Sequence, residues 1–147
     1  MKLTHLNRRG EADMVDVGEK PIVRRMALAS GRIDMQAETV DLIRTEQLRK
    51  GDVLSVARIA GINAAKKTAE LIPLCHQLPL DKVALDFSIE ERSILIEARA
   101  ACQARTGVEM EALTAVAVAA LTIYDMCKAV DKSMVISEIV LREKTKK

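Results

Sequence analysis

Apolar and polar residues follow two different periods along this chain. From Val83 to Ile89 every second residue is apolar, which is typical of a half-buried β-strand. Strands are predicted at 22–29, where Gly31 ends the strand, and at 83–89, 94–101 and 134–141. Helices are predicted at 37–45, 53–71 and 106–130. Asp52 is suited to cap the second helix, and Pro73 stops it and opens a loop that lasts to Pro79.

These elements occur in the order β-α-α-β-β-α-β. Without one of the two adjacent helices the order becomes βαββαβ, the split arrangement of the ferredoxin-like fold. We therefore predict an α+β fold, a ferredoxin-like core with one extra helix, whose antiparallel sheet packs on helices. Residues 1–147 form a single domain in this prediction, and the polar residues 1–20, which lack periodicity, form a mobile N-terminal arm.

The segment 106–130 combines the pattern of a buried helix with charge. It is apolar on nearly every face, yet it carries Glu111, Asp125 and Lys128. Fourteen residues separate Glu111 from Asp125, so their directions from the helix axis differ by only about 40°. Asp125 and Lys128 are spaced i, i+3 and face each other. This spacing alone favours a solvated ion pair near a helix end over a functional pair.

Two further features of the same segment bear on how the helix begins and packs. Thr106-x-x-Glu109 fits a capping box, which would begin the helix at about Gly107. The many alanines of the segment allow another backbone to approach closely, which suits a tight contact between subunits.

Three other positions could bind a ligand, and each has a plainer alternative. Lys50 precedes a helix N-terminus, where an anion could bind, although a solvated turn lysine is the commoner case. Arg25 lies among small apolar residues of a strand and could equally be structural. Cys75 and His76 are adjacent in the loop that Pro73 opens, but no second pair completes a metal site. His76 could hydrogen-bond a ligand or only the loop backbone.

Composition narrows the class of protein. The net charge is +2 and aromatic residues make up 1%, which argues against nucleic-acid binding through charge or stacking. Three cysteines without close spacing predict reduced thiols rather than disulfides. The N-terminus lacks the apolar core of a signal peptide, and the apolar run at 112–124 is too short and interrupted to span a membrane. We therefore expect a cytoplasmic protein that binds neither nucleic acid nor a membrane.

Six segments of the chain together carry a family resemblance. They are MVDV at 14–17, KGDV at 50–53, ARIAGI at 57–62, LIPLCH at 71–76, TGVEMEALTA at 106–115 and ALTIYDMCKAV at 120–130. With these segments the chain resembles the cyclic pyranopterin monophosphate synthases, also called molybdenum cofactor biosynthesis protein C, from about residue 3 to residue 141.

The resemblance implies an assembly and a reaction. The subunit would have a ferredoxin-like core and form a homohexamer, a trimer of dimers, with active sites at subunit interfaces. The substrate would be derived from GTP: 3′,8-cyclo-7,8-dihydroguanosine 5′-triphosphate. A phosphorus–oxygen lyase reaction would convert it to cyclic pyranopterin monophosphate and pyrophosphate, in the second step of molybdenum cofactor biosynthesis. No redox cofactor is needed, Mg²⁺ could accompany the triphosphate, and the sequence fixes no metal site.

The resemblance also implies roles for individual residues. Asp125 and Lys128 would be catalytic. Substrate binding would fall to Leu74, Cys75, His76, Met110, Glu111, Lys50 and Arg25. Lys128 would serve as a general acid and base if burial lowered the pKa of its amine toward neutrality. The chain departs from the family at Gln77, where proline is usual, and at Gly18, where serine is usual.

Two other classes of function remain open from the residues. The chain could be a non-enzymatic oligomeric nucleotide-binding protein of ferredoxin-like fold. It could also be a structural oligomer in which a buried pair of Asp125 and Lys128 fixes the register between subunits.

Overall fold

Four strands and four helices make up the described part of the chain, residues 2–48 and 52–147 of this computed structural model. In chain order they are β1 (Val23–Asp34), α1 (Ala37–Arg44), α2 (Val53–Lys66), α3 (Thr68–Leu71), β2 (Leu80–Ile89), β3 (Ser93–Ala104), α4 (Glu109–Cys127) and β4 (Val135–Lys146).

The four strands form one antiparallel sheet in the order β2-β3-β1-β4. Strand β3 therefore separates β1 from β2, as in a split βαβ unit, and β1 separates β3 from β4 in the same way. Helices α2 and α4 pack against each other, and α4 crosses β1 and β3. The predicted α+β fold with a ferredoxin-like core is confirmed.

The core lies between the sheet and its helices. Strand β1 alternates between buried and partly exposed residues, and Ala27, Ala29 and Ile33 are buried toward the helices. Strand β3 contributes Ile94 and Ile96 in the same layer. The fully buried residues of α4 are mostly small: Ala112, Ala115, Val116, Ala119 and Ala120.

The alanines of α4 serve packing inside this chain. A Cβ atom added to Gly61 of α2 would lie only 3.0 Å from the carbonyl oxygen of Ala115, so the two helix backbones are in close contact. The expectation that these alanines suit a contact between subunits is therefore not supported by their position. Any case for an oligomer must come from other features.

Strand β1 runs through Gly31 to Asp34, so the predicted end of the strand at Gly31 is wrong. A Cβ atom at Gly31 would lie 2.7 Å from Cγ1 of Val116 and 3.2 Å from Cγ1 of Ile139. The register between β1 and β4 shifts at the same place, between Ser30 and Arg32. Glycine thus allows a close approach of helix and neighbouring strand at a bulge, and does not break the strand.

The helix predicted at 53–71 divides into α2 and α3. Lys67 separates them, and its backbone N–H bonds to the carbonyl oxygens of Ala64 and Ala65. The predicted cap is confirmed, because the carboxylate of Asp52 accepts a hydrogen bond from the backbone N–H of Ser55 at 3.1 Å. The loop between α3 and β2 also lies where the two prolines predicted it.

The capping box predicted at Thr106 is absent from the described structure. Helix α4 begins at Glu109 after Val108, and no side chain caps it. The Glu109 carboxylate instead folds back against Gly107, where a Cβ atom would collide with it. Its Oε1 atom lies 3.4 Å from Nζ of Lys144 on β4.

Helix α4 has 19 residues and is long and apolar enough to cross a membrane by length and composition alone, because its apolar window of 18 residues has a mean hydropathy of 1.5. Inside the fold, 56% of its apolar window is buried. A core helix covered by a sheet has the same composition, and α4 lies against β1 and β3.

Candidate functional site

A cavity of about 290 Å³ lies at the N-terminal end of α4. Its walls come from the loop after α3, from the first turn of α4 and from the N-terminal arm. Among the predicted substrate-binding residues it is lined by Leu74, Cys75, His76, Met110 and Glu111. We call this cavity the arm pocket.

The N-terminal arm forms one wall of the arm pocket, which was not predicted from the sequence. Its contribution to the arm pocket is Thr4, His5, Val15, Val17 and Lys20. The imidazole Nε2 of His76 lies 2.6 Å from the carbonyl oxygen of Val15. A carbonyl oxygen only accepts, so Nε2 carries the proton and donates. The one signal for this wall in the sequence is the MVDV segment at 14–17.

Glu111 is the buried acid of the arm pocket, with 4% of the residue exposed. The pKa of its carboxyl is raised to about 7, mainly by burial; a hydrogen bond from its own backbone opposes the rise, and the nearby Glu109 charge adds to it. A carboxyl with this pKa is present in both forms near neutral pH, so it can donate or accept a proton.

Two thiols near Glu111 are held in the protonated form. Burial raises the pKa of Cys75, and the Glu111 charge adds to the effect. Burial also raises the pKa of Cys102 to about 11, with the same carboxylate contributing. Neither cysteine is therefore suited to be a thiolate nucleophile or a metal ligand.

Asp125 and Lys128 lie at the opposite end of α4. Nζ of Lys128 is 2.8 Å from Oδ1 of Asp125, and the two side chains are 55% and 58% exposed. The hydrogen bond and the charge of Asp125 raise the pKa of Lys128 above its ordinary value. The expectation that burial lowers this pKa is wrong for the single chain, because the amine is exposed. It is an ammonium group, able to donate a proton but not to accept one.

The arm pocket and the Asp125–Lys128 pair are far apart within one chain. Fourteen residues of α4 separate Glu111 from Asp125. At a rise of about 1.5 Å per residue this is about 21 Å along the helix. Although both acids face a similar direction, one small ligand cannot contact both in the same chain.

Arg25 lies in a second cavity of about 290 Å³, which shares Gly107 and Glu109 with the arm pocket. Two lysines of β4 also line it. Nη2 of Arg25 donates to the carbonyl oxygen of Arg105 at 3.2 Å. Its buried Nε has no hydrogen-bond partner among the described residues. Lys50, the other predicted cation, lies outside the described residues.

No three acidic, histidine or cysteine side chains come together to form a metal site within residues 2–48 and 52–147.

Gly18 and Gln77, the two positions that depart from the pattern of the family resemblance, lie near the arm pocket. Gly18 donates its backbone N–H to the Asp16 carboxylate at 2.8 Å, which closes a turn in the arm. Gln77 follows His76 in the loop and borders a neighbouring cavity.

Residues 14–147 match the MoaC family. The chain belongs to the MoaC family. The family match begins inside the arm, so it includes Val15 and Val17 of the arm pocket.

Curated relatives within the MoaC family are similar over most of the chain. A protein of Thermomicrobium roseum named cyclic pyranopterin monophosphate synthase is 61% identical over 97% of this chain and 87% of its own length. One of the same name from Peptoclostridium acidaminophilum is 55% identical over 99% and 92%. A molybdenum cofactor biosynthesis bifunctional protein of Chlorobaculum tepidum is 58% identical over 99% of this chain and 46% of its own length.

Proposed function

We propose that this chain is an enzyme of molybdenum cofactor biosynthesis, a cyclic pyranopterin monophosphate synthase. It is a phosphorus–oxygen lyase that converts 3′,8-cyclo-7,8-dihydroguanosine 5′-triphosphate to cyclic pyranopterin monophosphate with release of pyrophosphate. Membership of the MoaC family and relatives of that name at 55–61% identity support this function. The observation that carries the site is the convergence of five predicted binding residues on the arm pocket.

The arm pocket binds the purine-derived part of the substrate in this proposal. None of its described lining residues is Phe, Tyr or Trp, so we assign hydrogen bonds rather than stacking to hold the ring. Glu111 and His76 supply the polar contacts, while Leu74, Cys75 and Met110 form the apolar wall. With its pKa near 7, Glu111 can exchange protons with ring nitrogens.

Asp125 and Lys128 carry the proton transfers of the rearrangement. Remaking a purine as a pterin and closing a cyclic phosphate both require protons to move, and pyrophosphate must leave as an anion. The Lys128 ammonium is a proton donor, and Asp125 orients it at 2.8 Å. Covering this pair would desolvate the amine and lower its pKa, which would let it act as a base as well. Arg25 and Lys50 neutralise the triphosphate.

A second subunit provides that cover. We propose a homohexamer, a trimer of dimers, whose active sites join the arm pocket of one chain to the Asp125–Lys128 pair of another. The separation of about 21 Å within one chain supports this division. So does the exposure of the pair. The enzyme acts in the cytoplasm without nucleic acid or membrane, needs no redox cofactor or metal held by the chain, and takes any Mg²⁺ with its triphosphate.

The test supplies the purified protein with the cyclised GTP intermediate and follows pyrophosphate and the pterin product by mass spectrometry. Lys128→Ala is run alongside Lys132→Ala, which removes another exposed lysine from the same region. Product from wild type and Lys132→Ala but not from Lys128→Ala is the expected result. Binding of the intermediate without product from the wild type would instead identify a non-enzymatic nucleotide-binding protein.

A further inference from the structure

A buried carboxylate that the proposed chemistry does not use lies just after α4. Asp131 is 1% exposed and accepts four hydrogen bonds. Oδ2 accepts from the backbone N–H of Gln36 and from the hydroxyl of Thr39, both at 2.9 Å. Oδ1 accepts from the backbone N–H of Ser133 at 2.8 Å and from its hydroxyl at 2.7 Å.

These contacts join three parts of the fold. Gln36 is the N-cap of α1, Thr39 lies in the first turn of α1, and Ser133 belongs to the segment that leads into β4. The backbone N–H of Asp131 donates to the carbonyl oxygen of Cys127 at 3.1 Å, which ties the same residue to the end of α4. We call this set of contacts the Asp131 anchor.

The hydrogen bonds keep Asp131 ionised in a buried place. Burial alone would raise the pKa of its carboxyl, but the bonds from Gln36, Ser133 and Thr39 lower it to about 2. A buried charge of this kind is tolerated only when its donors stay in place. Loss of one donor leaves a buried lone pair unsatisfied, so the anchor tolerates little displacement of α4 relative to α1.

Lys128 lies three residues before Asp131, at the C-cap of α4. Its backbone N–H still bonds to the carbonyl oxygen of Tyr124 at 2.9 Å. Because the side chains of Lys128 and Asp125 are more than half exposed, packing within the chain does little to direct them. Their direction is set by the backbone of the last turn of α4.

We infer that Asp131 is a positioning residue, which fixes the last turn of α4 so that Asp125 and Lys128 meet the substrate at a constant geometry. This inference rests on the proposed function, because it assigns the anchor to the reaction of that pair. A displacement of about 1 Å in a reacting group can cost about 100-fold in rate. Loss of the Asp131 anchor should therefore lower kcat more than it weakens binding of the substrate.

Three variants weaken the anchor by different amounts. Thr39→Val and Ser133→Ala each remove one hydroxyl donor and keep the carboxylate. Asp131→Asn removes the charge and turns an NH₂ group toward one pair of donors. Thr68→Val is the matched control, because Thr68 is equally buried at 1% exposure and its hydroxyl bonds only to carbonyl oxygens of its own helix region.

The readouts are kcat, KM, the number of intermediate molecules bound per chain, and amide hydrogen exchange over 125–131. We expect kcat to fall about 3- to 10-fold in Thr39→Val and Ser133→Ala, and about 10- to 100-fold in Asp131→Asn. KM and binding stoichiometry should stay within about two-fold of wild type, while exchange over 125–131 rises about ten-fold or more. Thr68→Val should leave exchange at 125–131 and kcat at wild-type values.

The outcomes separate the two proposals. A wild type that makes no product overturns the proposed function, and the role of the anchor in catalysis falls with it. An active wild type with kcat unchanged in all three anchor variants overturns the positioning role alone. A parallel fall of kcat and binding stoichiometry also overturns it, because that pattern indicates partial unfolding. If Asp131→Asn does not fold, the two hydroxyl variants still decide between these results.

Discussion

The two ends of α4 differ in nearly every physical property. At the N-terminal end, Glu111 is buried in a cavity with walls from three parts of the chain, and burial raises the pKa of its carboxyl to about 7. At the C-terminal end, Asp125 and Lys128 form an exposed ion pair, and the pKa of Lys128 is raised by its partner.

The N-terminal end therefore has a formed cavity within one chain, whereas the C-terminal pair is open to solvent. A cavity whose walls all come from one chain has its electrostatics set by the folding of that chain. An exposed ion pair is screened by water, and its acid–base properties depend on what covers it. In the proposed enzyme, the N-terminal end of α4 is the binding half and the C-terminal end is the reacting half, and assembly of subunits would bring the two together. The predictions that follow test this division, beginning with the largest expected effect.

Removal of the Lys128 amine should abolish turnover and spare binding. General acid–base groups contribute about 10²- to 10⁴-fold to rate, so Lys128→Ala should lose kcat by that factor. The dissociation constant of the intermediate should change only a few-fold, because the arm pocket is intact. Stopped assays with mass spectrometry measure the first quantity and calorimetry the second. A Lys128→Ala protein with near wild-type kcat would contradict the catalytic role of Lys128.

Mixing two inactive variants should restore activity if the halves come from different subunits. Glu111→Ala damages the binding half and Lys128→Ala the reacting half. When they are unfolded together and reassembled, random pairing gives roughly a quarter of sites with both halves intact. We expect roughly a quarter of wild-type turnover, measured against each variant reassembled alone. Activity that stays at the level of the separate variants would mean that both halves act within one chain.

Glu111 should make stability depend on pH in a defined window. Because its folded pKa of about 7 is raised above the ordinary 4.5, its contribution is fully present below 4.5 and is lost as pH rises through 7. Between these values the free energy of unfolding should fall by about 1.4 kcal/mol per pH unit, and by about 3 kcal/mol in all.

Denaturant unfolding of wild type and Glu111→Gln at fixed protein concentration measures this dependence. The Gln variant should lose the slope, whereas Glu143→Gln, which changes an exposed acid on β4, should keep it. Equal slopes in wild type and Glu111→Gln would show that the N-terminal end of α4 is more solvated than its burial indicates.

The smallest expected effect is on stability, at Gly31, which packs against the middle of α4 rather than against either of its ends. Gly31→Ala places a Cβ atom 2.7 Å from Cγ1 of the buried, β-branched Val116. Overpacking of this kind costs about 1–3 kcal/mol in the free energy of unfolding. Gly18→Ala is the matched control, because its Cβ meets only an exposed Asp16 side chain, and it should cost less than about 0.5 kcal/mol. Thermal unfolding measures both, and equal losses would contradict the packing argument.

Local rules predicted the features that neighbouring residues determine. The cap at Asp52, the loop from Pro73 to Pro79 and the alternation in β2 all depend on residues a few positions apart. The order of elements then limited the fold to a small number of arrangements, and the ferredoxin-like one is observed.

Features that depend on distant contacts were predicted wrongly or missed. Gly31 looked like a strand end because nothing nearby shows that α4 passes over it. Asp125 raises the pKa of Lys128 because the exposed amine is not desolvated, and helix periodicity could not show that exposure for a helix that is apolar on nearly every face. The arm wall depends on bonds between distant residues: His76 bonds to Val15, 61 residues away, and Arg105 bonds to Lys20, 85 residues away.

The protonated state of Cys75 has a consequence for inhibitor chemistry. A cysteine that lines a ligand cavity is a natural target for electrophilic compounds, which react with the thiolate. Burial and the Glu111 carboxylate raise the pKa of this thiol, so little thiolate is present at neutral pH. Acrylamides and similar reagents should therefore label the pocket slowly. Reversible compounds that form hydrogen bonds with both Glu111 and His76 are better suited to this cavity.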